Sequence, residues 1–110
     1  MLRIFCDRGG EGAEVIYALR NSDKLASSIL NELEKSGQVV RKYYQRRLPS
    51  NSSKDYYYII RNTPNNETLI VEYGFLDNEA DAKRLKSNYK KYAEAVVRAV
   101  TLYGGYKYVP

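Results

Sequence analysis

The sequence predicts an α/β protein, a mixed and mainly parallel sheet of about four strands flanked by about three helices. Three observations carry that reading. Leu69, Ile70 and Val71 form a continuous apolar run bounded by polar residues, the pattern of a strand buried on both faces within a sheet. Leu25, Ile29, Leu30 and Leu33 recur at helical spacing, with Gly37 closing the segment. Tyr89, Tyr92, Val96, Val100 and Tyr103 repeat the helical pattern near the C-terminus and end at Gly104 and Gly105.

Taken in order, residues 2–6 read as a short strand and residues 7–12, with three glycines, as a loop. Residues 13–20 alternate well enough for a second strand. Asn21, Ser22 and Asp23 supply a cap and negative charge for a helix over residues 22–36. Residues 39–47, VVRKYYQRR, form a strand or extended arm in which basic residues interleave with tyrosines. Such a segment is a solvated basic face, a wall-binding border, or a single-strand binder that neutralises phosphates and stacks bases. Residues 49–54 are polar and predict a flexible loop. Residues 55–62, rich in tyrosine and isoleucine, predict a strand. Beyond the Leu69 run, Asp77 or Asn78 caps a helix over residues 78–87, with Asp81 three residues past Asn78. Gly74 leaves room for close backbone approach at that turn. Asn88 then caps a further helix over residues 88–103.

Composition sets the outer limits. A chain of 110 residues, 28% charged and 44% hydrophobic, makes one soluble domain, placed here at residues 1–105, with 106–110 as a tail or linker start. No apolar run approaches the roughly 20 residues needed to span a bilayer, so no membrane partner is expected. Residues 1–6 are too short for a secretory signal. Cys6 stands alone, so no internal disulfide forms. The net charge of +5 favours polyanions, whether nucleic acid, anionic membrane or anionic wall polymer. Twelve tyrosines without a tryptophan suit a carbohydrate- or peptide-facing surface.

Residues 69–85, LIVEYGFLDNEADAKRL, carry a more specific likeness. A glutamate (Glu72) ends an apolar strand; Gly74-Phe75, a hydrophobic residue, a polar residue, Asn78 and an acidic helix start follow. This resembles the zinc-dependent N-acetylmuramoyl-L-alanine amidases, bacterial hydrolases that cut the amide between N-acetylmuramic acid and the stem peptide of peptidoglycan. Gly12-Ala13-Glu14 is similar to the family's Gly-x-Glu strand opening, Leu25-Ala26 to its Leu-Ala helix, and residues 58–63 to a strand ending in Leu-Arg-x-Thr. The resemblance implies a catalytic role for Glu72 and substrate-binding positions at Arg61, Thr63 and Asn78. It implies zinc as the family cofactor, peptidoglycan as the partner, and a cell-wall or extracellular location. It also exposes a departure. Phe5 occupies the position of a family histidine ligand and Asp7 that of an asparagine, and the family's first histidine and glutamate ligands would lie before Met1. The chain therefore resembles the later part of an amidase domain, a truncated version of that fold.

The chemistry follows from what is present. A catalytic zinc needs about three protein ligands, usually including histidine, and this sequence has none. No metal is expected to bind the chain as written, and hydrolysis by it alone is not expected. Were zinc found, Cys6 with Glu11 or Glu14 would be the first ligands to examine. Glu72 is expected at an exposed strand end, where Glu72→Gln would spare the fold. Three readings stand: an amidase domain with an incomplete zinc centre, a non-catalytic peptidoglycan-binding descendant, and, least favoured, a small basic nucleic-acid-binding domain. Absence of the first strand-helix units would leave a sheet edge open, which predicts a homodimer through that edge.

Overall fold

A computed structural model describes residues 10–63 and 65–109, together with the backbone of Leu2 and Arg3. Its elements run β1 (Leu2–Arg3), β2 (Ala13–Tyr17), α1 (Lys24–Lys35), β3 (Val40–Tyr44), β4 (Arg47–Leu48), β5 (Asn51–Asp55), α2 (Tyr58–Arg61), β6 (Leu69–Glu72) and α3 (Glu79–Tyr103). The main sheet has the order β1-β6-β2-β3. β1 and β6 are parallel, β2 and β3 are parallel, and β2 and β6 are antiparallel. The mixed, mainly parallel α/β sheet expected from sequence is thus found, with the Leu69 run inside it. Ile70, Val71 and Glu72 are all buried.

Side-chain alternation along the strands divides the interior into two layers. On one face Ala13, Val15, Val71 and Tyr73 meet Leu25, Ala26, Ile29, Leu30 and Leu33 of α1 and Leu85, Tyr92, Ala95, Val96 and Ala99 of α3. On the other, Ile16, Ala18 and Ile70 meet Ile60 of α2, flanked by Tyr44 and Tyr57. The second layer is thin and ends at Glu14 and Glu72, which follow Ile16 and Ile70 in the alternation.

Several elements differ from the sequence reading. Residues 55–62 are not a strand: α2 turns there, with Ile60 and Arg61 N–H donating to the Tyr57 carbonyl. One helical turn drives Ile60 into the second layer and leaves Tyr58 and Ile59 exposed, so tertiary packing overrides the β propensity of the residues. Residues 49–54 are not a loop either. β5 pairs antiparallel with β4 around a turn at Pro49-Ser50, and its first four residues are exposed, so no apolar alternation announces a strand. Asp23 occupies the N-cap of α1 but makes no side-chain cap bond. The two C-terminal helices expected from sequence do meet at Asn88, a kink inside α3 (φ −130°, ψ 15°), although the Asn88 Nδ2 donates back to the Arg84 carbonyl. The packed stripe also differs: Tyr89, Val100 and Tyr103 are exposed, and Ala95 and Ala99 are buried with Tyr92 and Val96.

The loops at one end of the sheet are tied by a single buried carboxylate. Asn78 Oδ1 accepts from Asp81 N–H at 2.9 Å, as the cap pattern predicts. Asp81 does not answer with a capping-box bond. Its Oδ2 accepts from Gly12 N–H (2.7 Å) and Phe75 N–H (2.9 Å), and its Oδ1 accepts from Arg84 Nη2 (2.6 Å). Arg84 also donates to Glu11 and to Gln38 Oε1, and Gln38 Nε2 donates to the Tyr73 carbonyl (2.5 Å). The start of β2, the approach to β3 and the exit of β6 are thereby held together. Two glycines make this approach possible. Gly12 has φ +104°, and a Cβ there would lie 2.8 Å from the Val39 carbonyl oxygen; a Cβ at Gly74 would lie 3.0 Å from Asp81 Oδ2. Removing one partner of a buried charged network costs several kcal/mol because the remainder is stranded. Asp81→Ala is expected to lower unfolding free energy by roughly 3 kcal/mol or more. Asp81→Asn, which keeps both N–H contacts but turns a donor towards Arg84, should lose about half that. Urea unfolding of the two variants checks the order.

Candidate functional site

Above this clamp lies an unusual pair of side chains. Glu14 on β2 and Glu72 on β6 are direct partners in the antiparallel ladder, and both are buried, at 5% and 3% exposure. Directly opposed residues have Cβ atoms roughly 4.5–5.5 Å apart, and like charges in that position cost stability. The Arg41 guanidinium, 3.9 Å from Glu14 Oε2, offsets part of the cost. That distance is too long for a hydrogen bond, and Glu14 Oε2 is buried without one among the described residues. Arg41 also stands 5.2 Å from the centre of the buried Phe75 ring, so the Gly-Phe turn after β6 closes over the same corner. Tyr44, which pairs with Ile16 in the β2–β3 ladder, completes the surroundings. Burial pushes its hydroxyl pKa up, and the charges of Glu14, Tyr57 and Glu72 push it further.

Glu72 therefore lies at the strand end expected of it, at the carboxyl end of β6 where α/β sheets form ligand crevices. It is buried, not exposed as the sequence reading had it. Across the ladder it faces the equally buried Glu14. Asn78 is at the same end, with its side-chain oxygen occupied as the α3 cap. Arg61 and Thr63 are elsewhere. Arg61 Nη1 donates to the Asp55 and Tyr56 carbonyls (both 3.0 Å) and ties α2 to β5. Thr63 Oγ1 donates to the Ile59 carbonyl and contacts Thr68 Oγ1, and Arg20 Nη2 donates to the Thr63 carbonyl. Thr68 precedes β6, so this cluster sits about 13 Å from Glu72 along the strand, at about 3.3 Å per residue. The residue absent from the sequence-based site is Glu14. Its signal was the Gly-x-Glu motif, read as a strand opening and a conditional metal ligand; the ladder register is what places it opposite Glu72.

An open apolar groove of about 670 Å³, bordered by Tyr73, Leu76, Leu85 and Tyr89, lies off the opposite face of the sheet. Tyr73 follows Glu72 and points the other way, so the groove and the carboxylate pair are separate features.

The mixed sheet, its clamped strand ends and the flanking helices define an α/β domain with a buried carboxylate pair at one end. The chain matches the family described as N-acetylmuramoyl-L-alanine amidase over residues 1–102, and it belongs to that family. No curated protein matches it in sequence. Among solved structures it resembles the catalytic domain of CwlV, an N-acetylmuramoyl-L-alanine amidase from Bacillus (Paenibacillus) polymyxa var. colistinus (TM-score 0.74, 18% identity, 96% of this chain and 57% of that one). It also resembles the CwlD amidase from Clostridioides difficile, solved in complex with the GerS lipoprotein (0.72, 24%, 94% and 51%), and Cwp6 from Clostridium difficile (0.72, 23%, 96% and 17%). At these identities the likeness speaks for the fold. The chain spans about half the length of the CwlV and CwlD chains and under a fifth of Cwp6.

The family is zinc-dependent, and the residues here do not fit that metal. The sequence has no histidine, and among the described residues no three His, Cys, Asp or Glu side chains stand together as a metal site. Glu14 and Glu72 alone offer only hard oxygen donors. Phe5, Cys6 and Asp7, where the family histidine and the alternative thiol were expected, lie outside the described residues. Among the described residues no helix is long and apolar enough to cross a membrane.

The buried tyrosines give the domain a pH signature. A group whose pKa is raised in the native state binds a proton that the unfolded chain has released, so its contribution is complete below the unfolded value and is lost as pH rises. Tyr44, Tyr73 and Tyr92 are all raised from 10.0, chiefly by burial. Stability is expected to fall as pH climbs past about 10. Tyr44→Phe, which cannot ionise, should flatten that decline while leaving stability at neutral pH within about 1 kcal/mol. Denaturation series from pH 8 upward, followed by tyrosinate absorbance, check both statements.

Proposed function

We propose that this chain serves peptidoglycan processing in the cell wall or outside the cell, as an amidase-type domain directed at the amide between N-acetylmuramic acid and the stem peptide. The single observation behind the reading is Glu72: a carboxylate buried at the end of β6, within a family match that covers nearly the whole chain. In this reading Glu72 is the general acid/base. It takes a proton from the attacking water and returns it to the departing amide nitrogen, a task suited to a carboxylate shielded from solvent. Glu14 holds negative charge beside it, Arg41 tempers that charge, and Tyr44 offers a hydroxyl that stays protonated through neutral pH. Asn78, at the same end, is the nearer of the expected substrate contacts. Arg61 and Thr63 would serve only a substrate long enough to reach the far end of β6.

Because the metal ligands of the family are not supplied by the residues described, hydrolysis by these residues alone is not part of the proposal. The chain by itself is expected to bind peptidoglycan without cutting it, which makes a non-catalytic wall-binding domain the second reading. The absence of histidine and of any ligand cluster among the described residues favours it. Self-association through an open sheet edge stays part of the proposal, with the β3 edge the less suited to it, since Arg41 and Lys42 place like charges along that strand.

Two measurements separate the readings. Purified chain should sediment with peptidoglycan and release no stem peptide from it. In a chimaera carrying the preceding half of a relative's amidase domain, with Phe5→His, amide cleavage should appear. Glu72→Gln in that chimaera should then lower the rate about 10²- to 10⁴-fold. Equal rates for the two chimaeras would sink the catalytic assignment. A large fall in melting temperature would mark Glu72 as structural instead.

A further inference from the structure

The net charge of the chain is not spread over it. Residues 39–63 contain six cations, Arg41, Lys42, Arg46, Arg47, Lys54 and Arg61, against one carboxylate, Asp55. That surplus equals the net charge of the whole protein, +5, so the remaining residues balance. Asp55 does not neutralise the patch at its surface. It is buried, and its Oδ1 accepts from Leu19 N–H at 3.0 Å. Arg41 is committed to Glu14. Lys42, Arg46, Arg47 and Lys54 are exposed and make no ion pair among the described residues. They are strung along an edge strand and the β4–β5 hairpin beside it, an extended line rather than a pocket.

We propose that this β3–β4–β5 surface docks a linear phosphodiester polymer of the cell wall, a polyol phosphate chain, and so holds the domain on its matrix apart from the Glu72 site. The proposal rests on the wall reading above and goes beyond it. Three features select the partner. The line of unpaired cations matches a regularly charged flexible chain, whose phosphates are neutralised in series. Two tyrosine rings already carry a cation on one face: Arg46 lies 3.9 Å over the Tyr56 ring and Lys42 Nζ 4.6 Å over the Tyr44 ring. A ring so occupied has at most one face left for a base, which weakens the stacking platform that single-strand nucleic-acid binders use. The hairpin tip, Pro49-Ser50-Asn51-Ser52-Ser53, has no large apolar side chain to enter a bilayer interface.

The test uses the whole chain with three probes: soluble poly(glycerol phosphate), an oligo-dT of equal charge, and peptidoglycan before and after hydrofluoric acid removes its phosphate polymers. Poly(glycerol phosphate) should bind at low ionic strength and weaken steeply as salt rises. The triple variant Lys42→Gln, Arg46→Gln, Lys54→Gln should bind it at least about tenfold more weakly. Lys83→Gln, Lys86→Gln, Lys90→Gln, which removes equal charge from α3, should change it less than about twofold. Should the first triple variant disturb the hairpin, Lys54→Glu alone, at an exposed position, should still weaken binding about threefold. Equal weakening by the α3 variant would reduce the patch to net charge and overturn the proposal. So would tighter binding of oligo-dT, which assigns the surface to nucleic acid. Undiminished binding to stripped peptidoglycan, with none to the free polymer, keeps the wall reading and overturns the docking surface. Binding to no probe overturns both.

Discussion

The Asp81 carboxylate is the constraint on which the rest of this domain depends. It sits at the first turn of α3, where negative charge is favourable against the helix dipole. It is also the acceptor for two backbone N–H groups from loops far apart in sequence. Without it, Gly12 and Phe75 would each bury an unpaired donor. Through Arg84 and Gln38 the same carboxylate fixes the Tyr73 carbonyl and the approach to β3. Glu14 stands two residues beyond Gly12, and Glu72 three before Phe75. The relative placement of the two site carboxylates is therefore set by a third one, fully buried behind them. This is how a site of like charges is kept in register: the repulsion acts on strands whose ends are already bound.

What could be read in the sequence followed the strength of local signals. The Leu69 run, the α1 stripe with Gly37 and the Asn78 cap each depend on neighbours within one turn or one strand, and each was legible. The residues that failed were those whose role is set at a distance. Tyr58–Arg61 has the composition of a strand, yet its backbone bends into a helical turn because only Ile60 has a core to enter. The exposed β5 strand carries no alternation, so nothing local distinguishes it from a loop. Tyr89, Val100 and Tyr103 outrank Ala95 and Ala99 on any hydrophobic scale. The smaller residues nonetheless face the core, packed with Tyr92 and Val96 in the layer that α3 shares with α1. Asp81 was legible as a helix-start residue only, since its acceptor duty depends on a loop far upstream.

The candidate site shows the same division. Glu72 was recognisable from the motif around it and from its place at the end of an apolar strand. Its burial was not, because it depends on β6 lying inside the sheet with Glu72 facing Glu14 on β2, far away in sequence. Glu14 became a site residue only through the ladder register. Conversely, Arg61 and Thr63 belong to the same family pattern, yet their side chains brace backbone carbonyls near α2 and the start of β6. A motif can be shared for scaffolding as readily as for chemistry, and distance from the reacting carboxylate is what separates the two.

The strand order β1-β6-β2-β3 sets the timetable on which this fold can assemble. The last strand to leave the ribosome is an interior one, and it alone joins β1 to the β2–β3 pair. Until residues 69–72 emerge, neither β1 nor one side of β2 has its partner β6. The β2–α1–β3 crossover can form early from contacts close in sequence. The ladder that faces Glu14 with Glu72 must wait for nearly two thirds of the chain, and α3, whose Asp81 closes it, comes later still. Between the emergence of β2 and that of β6 and α3, a nascent chain therefore carries an open β2 edge and an uncovered α1 face. During that interval it is most exposed to mispairing and to chaperone capture.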